Sequence, residues 1–175
     1  KDAVILRPSI VFGPEDDFFN RFAAMARISP ALPLIGGGKT RFQPVYVGDV
    51  GKAVTAALQG KAGAGQTYEL GGPEILTFRE VLERVLEYTG RKRLLVPLPF
   101  WAARLQASVL QLLPNPLLTT DQVTLLEKDN VVSVKARTGR RALKDLGIDP
   151  VSIVAVVPDY LERFRAHGEF ASFRR

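Results

Sequence analysis

A chain of 175 residues, 46% hydrophobic and 24% charged, is long enough to bury a core and too apolar to be a disordered segment. Cysteine is absent and His167 is the single histidine, which excludes disulfides, thiol catalysis and cysteine-based zinc, and leaves a histidine metal site or a Ser-His-Asp triad without material. The net charge of +6 lies mostly from Lys128 onward; its cluster at Lys135, Arg137, Arg140, Arg141 and Lys144 has no interleaved aromatic residues, so nucleic acid is not the expected partner.

Val4-Ile5-Leu6 and Ile10-Val11-Phe12 flank an Arg7-Pro8-Ser9 step and end at Gly13-Pro14. The runs are short and β-branched, so they read as a buried strand with an interruption. A buried strand of the parallel type needs neighbours on both sides and helices above and below. Because this one starts three residues in, without a preceding Met, the expectation is a portion of a longer protein.

Acidic Glu15, Asp16 and Asp17 precede Phe18, Phe22 and Met25 at helical spacing, which predicts a helix over 17–28, stopped by Pro30 and Pro33. Gly36-Gly37-Gly38-Lys39-Thr40 imitates a phosphate loop. However, position 33 is Pro where that motif needs Gly, and a strand-like stretch follows where it needs a helix, so a hairpin turn is expected. Val45-Tyr46-Val47 leads into Val50, Ala53, Val54, Ala57 and Leu58, a core-facing helix with Asp49 as expected N-cap and Gly60 just past its end. The glycines at 60, 63 and 65 follow a helix and precede the strand Thr67-Tyr68-Glu69-Leu70. That is the reverse of a dinucleotide fingerprint, so they read as a loop.

Thr77-Phe78-Arg79-Glu80 is a capping box, with Leu76 and Val81 as its hydrophobic staple, and the helix it starts buries Phe78, Val81, Leu82, Val85 and Leu86. Tyr88 and Lys92 have the spacing of a dehydrogenase pair, but Gly90 ends the helix between them and removes the shared turn that would bring the ammonium to the phenol. Leu94 to Leu98 reads as an edge strand because of its prolines. Residues 100–113 form an apolar helix closed by Pro114-Asn115-Pro116. It is expected to pack on the rest of the protein, with a membrane or partner surface as the rival reading for its Trp101 end. Thr119-Thr120-Asp121-Gln122 is a second capping box, starting a helix to about Lys128. The basic stretch 130–145 reads as exposed or mobile, Pro158 as the start of a last helix, and 168–175 as a loose tail.

The order of elements, with Leu6-Arg7-Pro8-Ser9-Ile10-Val11-Phe12-Gly13-Pro14 and Pro44-Val45-Tyr46-Val47-Gly48-Asp49-Val50, resembles the C-terminal half of extended and atypical short-chain dehydrogenase/reductases, the NAD-dependent epimerase/dehydratase family. The run Phe18-Phe19-Asn20-Arg21-Phe22, the strand from Leu94 through Val96-Pro97-Leu98-Pro99 and the helix from Asp121-Gln122-Val123 to Asp129-Asn130 are similar to those of the 39 kDa accessory subunit of respiratory complex I.

The resemblance implies an α/β fold: the last strands of a Rossmann-like parallel sheet plus a small mixed α/β substrate domain. Residues 1–15 and 44–72 would supply sheet strands and a helix, 16–43 and 73–165 the substrate and C-terminal subdomain, and 166–175 the tail. It implies NAD or NADP as cofactor, held mostly by residues outside this chain, with Pro8, Ser9 and Ile10 against its nicotinamide end. Phe18, Phe19, Arg21, Arg41 and Gln43 would line the substrate cleft. No catalytic residue and no metal ligand is assigned. The implied partners are a small-molecule substrate or, in the accessory-subunit branch, a respiratory complex or membrane surface. The implied location is cytoplasmic, peripheral to the inner membrane in that branch.

Overall fold

The computed structural model describes residues 2–111 and 119–165. The expected Pro114-Asn115-Pro116 break, His167 and the 168–175 tail lie outside them. In chain order the strands are β1 (Ile5–Pro8), β2 (Val11–Phe12), β3 (Ala31–Ile35), β4 (Arg41–Phe42), β5 (Val45–Tyr46), β6 (Thr67–Leu70), β7 (Leu76–Thr77) and β8 (Leu94–Leu98). The helices are α1 (Asp17–Ile28), α2 (Val47–Leu58), α3 (Phe78–Tyr88), α4 (Phe100–Leu110), α5 (Thr120–Leu125), α6 (Val134–Thr138) and α7 (Val157–Leu161), with short 3-10 turns between. The chain divides into two units, each assembled from separated stretches.

The first unit contains 1–16, 42–75 and 130–160. Its β1 and β6 run parallel in register from Ile5↔Thr67 to Pro8↔Leu70, and β2 runs parallel to β5. Parallel pairing needs a long crossover, here the α1-containing excursion and α2, rather than a tight turn. Helix α2 turns Ala53 and Ala56 onto a core of Val45, Tyr68, Leu70, Leu143, Leu146 and Ile148. It begins two residues before the expected cap: Tyr46 occupies the cap position without a side-chain bond, and Asp49 lies inside the first turn.

The basic stretch after Asn130 is folded. Val132, Ala136, Leu143 and Leu146 are buried, and Ser133 caps α6 by accepting the Ala136 N–H. Glu69 on β6 fastens this stretch, accepting the Ser133 backbone N–H at 2.7 Å and its hydroxyl at 3.2 Å. The Glu69 N–H in turn donates to the Arg141 carbonyl. The expectation of an exposed or mobile segment fails because its charges all point outward while four apolar side chains point inward.

The second unit contains 17–41, 76–129 and 161–175. Helix α1 buries Phe19, Phe22, Ala23 and Ala26, one face of a 3.6-residue period. It packs with α3 through edge-on aromatic rings, with Phe22 and Phe78 centroids 5.3 Å apart. The Thr77–Glu80 capping box is complete. The expected hairpin after β3 does not form: β3 pairs in parallel with β8, from Ala31↔Leu94 to Ile35↔Leu98. Gly36, Gly37 and Gly38 all take positive φ, between 61 and 72°, so the chain leaves β3 through a left-handed turn that other residues resist. Side chains could not replace two of them: a Cβ on Gly36 would enter the Phe100 ring, and one on Gly38 would meet Leu34.

Candidate functional site

In open α/β sheets ligands bind beyond the carboxyl ends of parallel strands. In the first unit β1 and β6 end level, at Pro8 and Leu70, and the chain continues into Ser9-Ile10 on one side and Gly71-Gly72 on the other. Hydrogen bonding alternates along a strand. Ile5 and Ser9 donate their N–H groups to Gln66 and Leu70, so Leu6 and Pro8 turn their backbone groups to the outer edge of β1, where Pro8 has no N–H to offer.

Ser9 is buried, and its hydroxyl serves the protein itself. It donates to the Asn130 carbonyl at 2.6 Å and accepts the Gln43 N–H at 3.2 Å. Ile10 lends its carbonyl to the Val45 N–H. The Gln43 side chain is engaged at both ends: Nε2 donates to the Gly72 carbonyl at 2.7 Å and Oε1 accepts the Val132 N–H at 3.0 Å. A Cβ on Gly71 would strike Gln43 and Val132, and one on Gly72 would lie 2.0 Å from the Pro44 carbonyl oxygen. These glycines therefore answer to internal packing. The Ser9 hydroxyl is thus engaged inside the protein, and what Pro8, Ser9 and Ile10 present at this lip is backbone and shape.

In the second unit the four remaining candidates differ. Phe19 has no exposed surface. Phe18 is half-buried, with its ring edge-on to Phe22 at 5.3 Å. Arg21 is half-buried and lies 4.0 Å from Asp17, one helical turn away. Arg41 is fixed to Asp129, its Nε and Nη2 donating to Oδ2 at 2.9 and 2.7 Å and its backbone N–H donating to Oδ1 at 2.8 Å. The Arg41 backbone N–H, and after it the guanidinium, hold the Asp129 carboxyl below the usual carboxylate range.

Among the described residues no group of three or more acidic or histidine side chains could hold a metal, and no helix is long and apolar enough to cross a membrane. Asp129 and Asn130 hold the candidates Arg41 and Ser9 from nearly ninety or more positions away; their only trace in the sequence is an Asp-Asn pair after a helix.

Residues 1–71 match the model of the NAD dependent epimerase/dehydratase family. Over 173 residues the chain is 34% identical to NADH dehydrogenase (ubiquinone) 1 alpha subcomplex subunit 9, mitochondrial, of Arabidopsis thaliana, covering 95% of this chain and 43% of the relative. Its fold is that of a UDP-glucose 4-epimerase of Thermotoga maritima solved with UDP-glucose: TM-score 0.62 at 20% identity, covering 93% of this chain and 46% of that one. It is likewise that of a dTDP-glucose 4,6-dehydratase of Streptomyces venezuelae solved with NAD, with TM-score 0.62, 20% identity and coverage of 93% and 43%. The expected α/β class with parallel pairing therefore stands. The chain spans less than half the length of the curated relatives it matches.

Proposed function

We propose that this chain is the substrate-side portion of an NAD(P)-binding, epimerase- or oxidoreductase-like protein, which holds its cofactor together with residues outside these 175. The observation that carries this reading is the level ending of the parallel β1 and β6 at Pro8 and Leu70, inside the stretch that matches the epimerase/dehydratase model. When bound, NAD(P) would supply hydride chemistry. This chain's own part is to lay the Pro8–Ser9–Ile10 backbone against one face and to keep water out with Phe12 and Leu70, both fully buried.

A specific observation favours the non-catalytic form of this reading, a nucleotide-binding accessory subunit of a membrane-bound respiratory complex. Three of the five residues read as lining a substrate cleft are committed inside their own unit: Phe19 to the core, Gln43 to Gly72 and Val132, and Arg41 to Asp129. An arginine locked two-pronged onto a carboxylate offers little to a substrate anion. The relation to the alpha subcomplex subunit points the same way.

Titration of the full-length protein with NADPH, followed by nicotinamide fluorescence, tests both forms; saturable binding is expected, and absence of binding overturns both. Hydride transfer to carbonyl substrates by the NADPH-loaded protein would favour the enzyme, and binding without turnover the accessory subunit. The 175-residue chain alone is expected to show no dehydrogenase turnover.

A further inference from the structure

The outer side of α4 is an apolar stripe. Trp101, Leu105 and Val109 are 72, 64 and 62% exposed, whereas Ala103 and Ala107 on the opposite side are fully buried. At 100° per residue the three fall within an arc of about 80°. Helix α5 packs beside α4 and adds Leu125, 68% exposed, while β8, which runs into α4 through Pro99, exposes Leu94 and Val96. The one charge on α4, Arg104, is neutralised by Glu127 at 2.6 Å. Single exposed apolar residues are ordinary, but an aligned group with no free charge on its helix is an interaction surface.

The charges around this stripe indicate what covers it. Lys92 just before β8 and Lys128 just after α5 are exposed, and among the described residues neither is paired with a carboxylate. Lys and Arg outnumber Asp and Glu in the unit that carries the stripe, and the two balance in the other unit. An apolar strip with an indole at one end, in a unit that carries an excess of cations, matches a bilayer surface with anionic headgroups. The indole suits the boundary, the aliphatic groups the acyl region and the lysines the phosphates. We infer that the α4 stripe, with Leu125 of α5, docks this protein onto an anionic lipid surface. This deepens the accessory-subunit reading by naming the surface that would meet the membrane, and it can fail while nucleotide binding stands.

Trp101 is the single tryptophan of the chain, so its emission reports this surface alone. The full-length protein, with any tryptophan outside these 175 residues replaced by phenylalanine, is mixed with phosphatidylcholine vesicles with and without about one-third phosphatidylglycerol. A blue shift and quenching by brominated acyl chains are expected with the anionic vesicles. Leu105→Gln with Val109→Gln should weaken binding by at least about tenfold, the two aliphatic side chains no longer leaving water. Lys92→Gln should weaken it by about fivefold, and only on anionic vesicles. All three sites are exposed, so these variants leave the core untouched, and far-ultraviolet circular dichroism checks the fold. Absence of vesicle binding overturns the proposal. So does binding that leaves Trp101 unquenched, because the contact is then elsewhere. So does a blue shift that depends on protein concentration without lipid, because a second copy then covers the stripe. The NADPH titration is independent of all three.

Discussion

The buried carboxylate of Asp49 accepts the backbone N–H of Val151 at 2.7 Å, across 102 residues of sequence, while its other oxygen meets Lys52 at 2.9 Å. One side chain thus ties the first turn of α2 to the segment leading into α7. Asp49→Ala strands the partly buried Val151 N–H and should cost roughly 1–2 kcal/mol, read from chemical denaturation. Asp49→Asn keeps an acceptor and should cost less. Asp49 also raises the pKa of Lys52, first by its hydrogen bond and then by its charge. The pair's contribution is fully present below the unfolded lysine value of about 10.4 and fades as pH rises through the higher folded value. In the Asp49→Asn protein that alkaline dependence should vanish.

Ser9 holds the Asn130 carbonyl and the Gln43 N–H together. Ser9→Ala should destabilise by about 1 kcal/mol and speed hydrogen exchange at the Gln43 amide. NADPH affinity of the full-length protein should change less than about twofold, because one kcal/mol in a buried turn is not a lost ligand contact. A larger loss of affinity with unchanged stability would return the hydroxyl to the cofactor.

Asp129 has a depressed pKa because the Arg41 backbone N–H and guanidinium hydrogen-bond its charged form. Its contribution is therefore present above the unfolded aspartate value of about 3.9 and is lost as pH falls through the lower folded value. Both side chains are well exposed, so Asp129→Asn should cost under about 1 kcal/mol. It should also free the Arg41 guanidinium, giving the protein a measurable affinity for inorganic pyrophosphate by calorimetry that the unaltered chain lacks.

Gly72 sits where a Cβ would be 2.0 Å from the Pro44 carbonyl oxygen. Backbone cannot yield as a flexible side chain can, so Gly72→Ala should cost about 3 kcal/mol by thermal unfolding. Gly51, with open space around its Cβ position in the interior of α2, should instead gain about 0.5–1 kcal/mol on replacement by Ala.

What could be read from the chain follows the range of the interactions. Helices α1 and α3 were legible because their signals are local: an acidic first turn, a capping box and a period of 3.6. The Thr119–Gln122 box was legible for the same reason. The start of α2 was misplaced because Asp49 is a favoured cap residue, and only the distant Val151 N–H gives it other work. The hairpin after Gly36-Gly37-Gly38 was inferred from the turn alone, but β3 has its partner sixty residues on, in β8. The lip residues Ser9 and Gln43 stood out in the sequence, but their partner Asn130 did not, since nothing near residue 130 marks it as belonging to β1. Composition misled over 130–145, where five cations mask the inward direction of Val132, Ala136 and Leu143.

The chain passes from the first unit to the second and back twice, and the first unit closes only with residues 130–160. During synthesis its β1 therefore emerges long before the Leu143–Leu146 turn that packs on α2, and it must wait, apolar and half-paired, while the ribosome adds more than a hundred residues. Nascent chains of such high contact order fold late and lean on chaperones. A stop codon anywhere before residue 160 would deny both units their last stretch, so truncation here should remove the whole protein from the cell rather than leave one working half.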